Sequence, residues 1–262
     1  MGRVVPFSHF EDYYSQLTQD NRVIDGTILD ANVIITLSYS PKKYHSRLTK
    51  FLSEQLHPKE IAYFTTVNTT FEYLEFHRRL LMTEGLRDAV DEFSALQLPR
   101  KKRQSVRYHS GRLKNRENTQ GTDPVFYDRE IKDIRKAFCA SGEKGIQLWS
   151  SLSMAFLNPK LQQEFENLET LGIKYLSIHN KKQRPFFVGA LKWEDAIKIC
   201  TTSCAGISDA MILNALQTTT FPFAISLDTD VIYAVLSNPN LKDIVVPDDL
   251  IADDKELRSL LI

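Results

Sequence analysis

Short apolar segments alternate along the chain with longer segments whose apolar residues recur at helical spacing. The short segments are rich in β-branched residues and predict strands at residues 26–30, 60–67, 173–178, 221–228 and 243–247. Residues 7–20 are typical of the longer segments, with Phe10, Tyr13, Tyr14 and Leu17 at helical spacing. Strands separated by helices pack as a parallel sheet with helices on both faces. We therefore expect an α/β protein with a three-layer α/β/α sandwich and a central, mostly parallel sheet.

Glycine and proline predict where these helices break and where regular structure is lost. The helix that follows residue 67 can be capped by Asn68 or Thr69 and should break near Gly85. The apolar segment 191–218 should be interrupted near Gly206. Residues 99–124 contain two prolines and two glycines and show no apolar periodicity. This composition predicts an exposed loop or a disordered arm.

Composition limits the class of protein. The 262 residues are 42% hydrophobic and 25% charged, which is usual for a globular chain with a sizeable core. The sequence has no run of about 18 apolar residues, and its N-terminal segment has no apolar stretch long enough for a signal peptide. Three cysteines fit a reducing compartment. We expect a cytoplasmic protein without a membrane partner.

Residues 100–116 form a basic strip, although the net charge of the whole chain is zero. The chain has 33 basic and 33 acidic residues, but the strip has eight Lys or Arg and no acid. With Tyr108, which can stack on an unpaired base, these basic residues predict a nucleic-acid-binding surface: Arg100, Lys101, Lys102, Arg103, Arg107, Arg112, Lys114 and Arg116. A solvated surface arm and a partner-binding arm are the alternatives.

Acidic residues follow several of the predicted strands. Asp30 ends the strand 26–30, and Asp228 ends the strand 221–228 with Asp230 just beyond. Glu72 and Glu75 lie early in the helix after the strand 60–67, and Asp209 opens an apolar helix. Each acid alone is explained by a turn or by a helix N-terminus. Because the carboxyl ends of parallel strands share one edge, the whole set would converge there and require a hard divalent cation.

The segments that carry these acids resemble the PIN-domain nucleases in order and approximate position. "TILDANVII" contains Asp30 and Asn32, and "TTVNTTFEYL" places Glu72 six residues after Thr66. "GISDAMILNA" contains Asp209, and "AISLDTDV" contains Ser226 and Asp228. The resemblance covers residues 24–250. It implies a flavodoxin-like α/β/α sandwich in a single PIN-like domain, 1–262, with a basic loop and helices inserted at 98–150.

The resemblance also implies an activity, that of a metal-dependent endoribonuclease that hydrolyses phosphodiester bonds of single-stranded RNA. Mg²⁺ or Mn²⁺ would be held by Asp30, Asp209 and Asp228. Glu72 would ligate the ion or position the attacking water, while Glu75 and Asp230 are further candidate ligands. Asn32 would orient Asp30 without binding the metal itself, and Ser226 would also hold a ligand in place. The metal would activate water and neutralise charge that develops on phosphorus.

Other functions and partners remain open. The same fold can serve as a non-catalytic scaffold for nucleic acid or protein, and the Asp228-x-Asp230 motif also occurs in metal-dependent glycosyltransferases, though with more sequence after it. The RNA substrate can be single-stranded or structured. Small members of the PIN family form homodimers and pair with antitoxin-like inhibitor proteins, so both partners are open for this longer chain.

Overall fold

A parallel sheet organises the fold. The computed structural model describes residues 2–19, 23–91, 98–203 and 205–261. In this part of the chain the sheet has six strands: β1 (Val4–Pro6), β2 (Gly26–Leu29), β3 (Ala62–Thr65), β4 (Ile173–Tyr175), β5 (Phe223–Ile225) and β6 (Asp243–Val246). All five pairings are parallel. The predicted α/β three-layer sandwich is therefore confirmed.

Helices connect the strands. Up to β4 they are α1 (Phe10–Gln19), α2 (Ala31–Ser38), α3 (His45–Phe51), α4 (Val67–Asp88), α5 (Arg100–Gln120), α6 (Asp128–Cys139), α7 (Glu143–Leu157) and α8 (Lys160–Thr170). After β4 they are α9 (Trp193–Ser203), α10 (Ile207–Gln217), α11 (Thr229–Ser237), α12 (Asp248–Asp253) and α13 (Lys255–Leu261). Short 3-10 turns occupy Phe7–His9, His57–Lys59 and Arg184–Phe186, and a π-helical turn occupies Leu52–Leu56.

The strand order is β1-β6-β5-β2-β3-β4. From β2 the chain adds β3 and β4 on one side and then returns to add β5 and β6 on the other side. This differs from the flavodoxin order implied by the resemblance, in which the chain adds only one strand before it reverses. The direction reverses between β2 and β5, and ligands in doubly wound sheets bind outside the carboxyl ends of the strands at such a point.

The chain forms two compact units. The first unit, Met1–Tyr73 with Leu168–Ile262, contains the whole sheet. Its strand β2 is buried along its full length. The first residue of β2 is Gly26, and a Cβ at this position would lie 2.6 Å from the Phe64 ring, so glycine leaves room for that ring. Phe64 stacks on Phe221 with ring centroids 5.0 Å apart. Close aromatic packing thus sets the position of β2 beside β3.

The second unit, Leu74–Asn167, is helical in its described part. Its core includes Leu86, Val106, Ile134, Phe138 and Leu152. The predicted break at Gly85 is wrong, since α4 continues to Asp88. A Cβ on Gly85 would overlap the Phe156 ring, so this glycine permits close packing between helices. The predicted insertion 98–150 lies inside this unit, and part of the helix predicted up to residue 98 lies outside the described residues.

The loop or arm predicted at 99–124 is also wrong, because Arg100–Gln120 forms α5. Its buried positions recur at helical spacing but are mostly polar: Lys102, Val106, His109, Leu113 and the part-buried Arg116. Lys102 Nζ lies 5.4 Å from the centroid of the Phe138 ring. Arg116 donates to both carboxylate oxygens of the buried Glu130, at 2.7 and 3.0 Å. These contacts allow basic residues to take core positions that usually carry apolar ones.

The described residues include no single helix that is both long and apolar enough to cross a membrane; α9 and α10 meet that test only as a sharply bent pair.

Candidate functional site

Asp30 lies directly after β2, at the point where the sheet reverses direction. It is the N-cap of α2, and its side chain is only 2% exposed. The Ala31 N–H donates to Oδ1 at 2.6 Å, and the Ser226 hydroxyl donates to Oδ2 at 2.6 Å. A buried carboxyl held by two donors is rigid, and its charged form is costly without a cation.

The turn after β5 brings Asp228 to the same place. Ser226 Oγ accepts from the Asp228 N–H at 3.0 Å while it donates to Asp30, so one hydroxyl connects the two segments. Asp228 caps α11 through the Asp230 N–H at 2.9 Å. The sequence predicts that Asn32 orients Asp30, but its amide instead donates to Asp228 Oδ2 at 3.4 Å. Asn32 and Asp230 are both exposed.

Asp209 enters from the first turn of α10. The N-cap of this helix is Gly206, as the predicted interruption requires, and the Gly206 backbone acts to lower the pKa of the nearby Asp209 carboxyl. A Cβ on Gly206 would lie 2.9 Å from Asp209 Oδ2, so glycine leaves room for this carboxylate. At the other end of α10, Lys242 Nζ donates to the carbonyls of Leu216 and Thr219 at 2.9 and 2.5 Å. Both ends of the helix that carries Asp209 are therefore fixed.

Glu72 comes from α4, which starts earlier than the sequence predicts. The helix begins at Val67, and Thr66 and Thr69 exchange bonds between side chain and backbone at its start. This reciprocal pair is a form of capping box and replaces the predicted Asn68 or Thr69 cap. Glu72 Oε1 accepts a hydrogen bond from the Ser208 hydroxyl. Sequence reasoning missed Ser208, although its place beside Asp209 in the first turn of α10 was a usable signal.

The charges of these acids act on one another. Burial and the neighbouring charges of Asp228 and Asp209 raise the pKa of Asp30 to about 7, against the opposing hydrogen bond from Ser226. Burial and the charges of Asp228, Glu72 and Asp230 raise the pKa of Asp209 to about 6. We call Asp30, Glu72, Asp209 and Asp228 the acidic cluster. Its members come from four separate elements of the first unit and repel one another.

Glu75 and the basic strip belong to the second unit. Glu75 is paired with Arg78, which reaches its two oxygens at 2.8 and 2.6 Å and also bonds Asp128 at 2.9 Å. Within the strip, Lys102 and Arg116 are held by the contacts within that unit described above. The remaining basic residues and Tyr108 are exposed along α5: Arg100, Lys101, Arg103, Arg107, Arg112 and Lys114.

The donor set fits a hard cation better than zinc. As the side chains lie, no three His, Cys, Asp or Glu residues in the described ranges are arranged to hold a metal ion. Mg²⁺ needs only one or two carboxylates directly, because water completes its coordination sphere. The cluster supplies only oxygen ligands, which Mg²⁺ and Mn²⁺ prefer. Burial and mutual repulsion raise the pKa values of two of its carboxyls, those of Asp30 and Asp209. A divalent cation would relieve the repulsion.

Comparisons of the chain with protein-family models, curated proteins and solved structures find no significant match.

Proposed function

We propose that this chain is a metal-dependent endoribonuclease of the PIN-like kind that hydrolyses phosphodiester bonds of single-stranded RNA. The acidic cluster supports this proposal more than any other feature. Four carboxylates from separate elements meet at the reversal point of a parallel sheet, where the charge of Asp228 acts on both Asp30 and Asp209 and that of Glu72 acts on Asp209. Helix capping accounts for Asp30 and for Asp228 one at a time, but it gives no reason to bring four carboxylates together, because mutual repulsion and burial disfavour their charged forms.

A bound Mg²⁺ or Mn²⁺ would supply an activated water and neutralise charge on the phosphate. Asp30, Asp209 and Asp228 would hold the ion, directly or through water. Ser226 fixes the Asp30 carboxylate and the Asp228 backbone at once, so it sets the spacing of two ligands. Glu72, held by Ser208, would position the water that attacks phosphorus.

The exposed basic residues of α5 would bind the RNA backbone. Single-stranded nucleic acid binds to positively charged surfaces with aromatic side chains for stacking. Tyr108 is 63% exposed on the same helix and provides such a side chain. Lys102 and Arg116 are left out of this role because Phe138 and Glu130 hold them.

A cleavage assay with purified protein tests the proposal. The substrate is a single-stranded RNA oligonucleotide, incubated with Mg²⁺, Mn²⁺ or EDTA. The test variant is Asp209→Asn, which keeps the shape of the side chain and removes its charge, and the control is the exposed Asp195→Asn on α9. We expect metal-dependent cleavage by the wild type and the control, and at least about a 100-fold loss in Asp209→Asn.

Two results would overturn the proposal. Cleavage that persists in EDTA, or that Asp209→Asn retains in full, would place the activity outside the acidic cluster. RNA binding without any metal-dependent cleavage would instead favour the non-catalytic scaffold.

A further inference from the structure

An apolar pocket of about 220 Å³ opens in the first unit beside the ends of β3 and β4. Its apolar walls include Tyr175, Leu176, Ile178, Phe187, Leu191 and Met211. An apolar cavity of roughly 150 Å³ holds one benzene ring, whereas pockets for drug-sized ligands measure roughly 300–1,000 Å³. The volume therefore suits a single planar ring system.

The pocket is lined by the same two helices that carry part of the acidic cluster. On α4, Val67 and Asn68 of the first turn line the pocket, and Glu72 follows in the next turn. On α10, Met211 and Ala215 line it, and Asp209 precedes them on the same helix. Six residues of helix span about 9 Å, so Ala215 lies about that far along α10 from Asp209. A single RNA strand can therefore reach both the pocket and the acidic cluster.

The lining of the pocket selects for a base and against a phosphate. Among the residues that the structure describes, neither Lys nor Arg lines the pocket, so its described lining offers no permanent cation to bind an anion. Tyr175 is 47% exposed at the pocket and offers a face for stacking. Asn68, Ser177 and His179 also line it and can bond the edge of a base. Aromatic stacking together with hydrogen bonds to base edges is how proteins recognise unpaired RNA bases.

We propose that this pocket binds one unpaired nucleobase of the RNA strand whose phosphate lies at the acidic cluster. The link to the phosphate rests on the function proposed above, whereas base binding by the pocket does not. A paired base cannot leave its helix to enter the pocket without loss of stacking and pairing, so the pocket would make the chain selective for unpaired RNA.

Free nucleosides test base binding separately from metal binding and cleavage. They carry no phosphate, so the acidic cluster does not repel them, and the measurement is made in EDTA. The probe is the Met211 methyl resonance, followed by NMR during titration with adenosine, guanosine, cytidine and uridine. Met82 and Met154, which belong to the second unit, serve as internal references. We expect at least one nucleoside to shift Met211 and leave the two references in place.

Tyr175→Ala is the matching variant, since the side chain is half-exposed and its loss should spare the fold. We expect it to weaken nucleoside binding, and binding of uncleaved single-stranded RNA in EDTA, by at least about fivefold. Trp193→Ala removes an aromatic side chain that is 62% exposed and does not line the pocket, and should change neither affinity.

Absence of any nucleoside-induced shift at Met211, or equal losses in Tyr175→Ala and Trp193→Ala, would overturn base binding. Nucleoside binding with RNA affinity unaffected by Tyr175→Ala would overturn the assignment to the RNA strand. Loss of cleavage in Asp209→Asn bears on neither result, so the failure of each proposal can be recognised separately.

Discussion

Replacing Asp30 by Asn should change how the stability of the metal-free protein depends on pH. The wild-type carboxylate is buried and accepts from the Ala31 N–H and the Ser226 hydroxyl. In the variant the Asn carbonyl can accept from Ala31, and its amide can donate to Ser226 Oγ. Any loss of stability from this rearrangement is the same at every pH. The variant no longer has a carboxyl group at position 30 that gains or loses a proton, so its pH-dependent contribution disappears.

The size of the pH-dependent change in the free energy of unfolding follows from the pKa of Asp30. Burial and the charges of Asp228 and Asp209 raise it to about 7 in the folded protein, while an unfolded Asp has a pKa of about 3.9. Between these values the folded state holds a proton that the unfolded state has lost, so stability falls as pH rises. A difference of about 3 pKa units corresponds to at most about 4 kcal/mol, lost between roughly pH 4 and pH 7.

Urea unfolding followed by circular dichroism in EDTA measures this effect at pH 5 and pH 8. We expect the free energy of unfolding of the wild type to fall by about 2 to 3 kcal/mol more than that of Asp30→Asn over this range, because only the part of the titration between pH 5 and the folded pKa lies within it. Asp195→Asn, an exposed replacement, should behave as the wild type does. The same pH dependence in Asp30→Asn and wild type, within about 0.5 kcal/mol, would show that Asp30 does not have a raised pKa in the folded protein.

Three further predictions separate functional residues from structural ones. Glu72→Gln should reduce RNA cleavage more than Glu75→Gln, because Glu75 is engaged by Arg78; a larger loss of cleavage rate at Glu75 would show that the wrong acid was chosen. Arg116→Ala leaves the buried Glu130 without its cation and should destabilise the protein by roughly 3–5 kcal/mol in urea unfolding. The control, Lys114→Ala, replaces an exposed residue and should change stability by no more than about 0.5 kcal/mol. Similar losses of stability in Arg116→Ala and Lys114→Ala would show that the Arg116–Glu130 ion pair does not stabilise the fold. The third change replaces three exposed basic residues of α5 by Ala: Arg100, Lys101 and Arg103. This variant should have a higher KM, a kcat near the original value and a slope of log K against log salt that is smaller by roughly 0.7 for each phosphate that the protein no longer neutralises. An unchanged salt dependence would contradict RNA binding by these residues.

The sequence was sufficient to predict five of the six strands of the described sheet, because β-branched and apolar residues bounded by turn residues give a clear local signal. β2 and β6 lie within one residue of the predicted 26–30 and 243–247. β5 is shorter than the predicted 221–228, so Asp228 lies in the following turn and caps α11. β1 was missed because three residues that end in Pro6 give little local signal, and only pairing with β6 makes them a strand.

Helix α5 could not be predicted from apolar periodicity because polar and basic residues take most positions on its buried face. Lys102 and Arg116 take core positions only because Phe138 and Glu130, which lie outside the strip, receive them. The same limit applies to Asn32, whose hydrogen bond to Asp228 depends on a turn 196 residues away. The sequence thus indicated which acids face one sheet edge, while their individual partners depend on packing between distant segments.

A crystal of the protein soaked in Mn²⁺ tests the central claim, that the acidic cluster binds a divalent cation. Anomalous scattering locates Mn²⁺ without reference to activity. We predict a peak at the reversal point between β2 and β5, within roughly 2.0–2.6 Å of an oxygen of Asp30, Asp209 or Asp228. In a crystal of Asp209→Asn this peak should weaken or disappear. No peak at the cluster in the wild type, or a peak that Asp209→Asn leaves unchanged, would contradict the account.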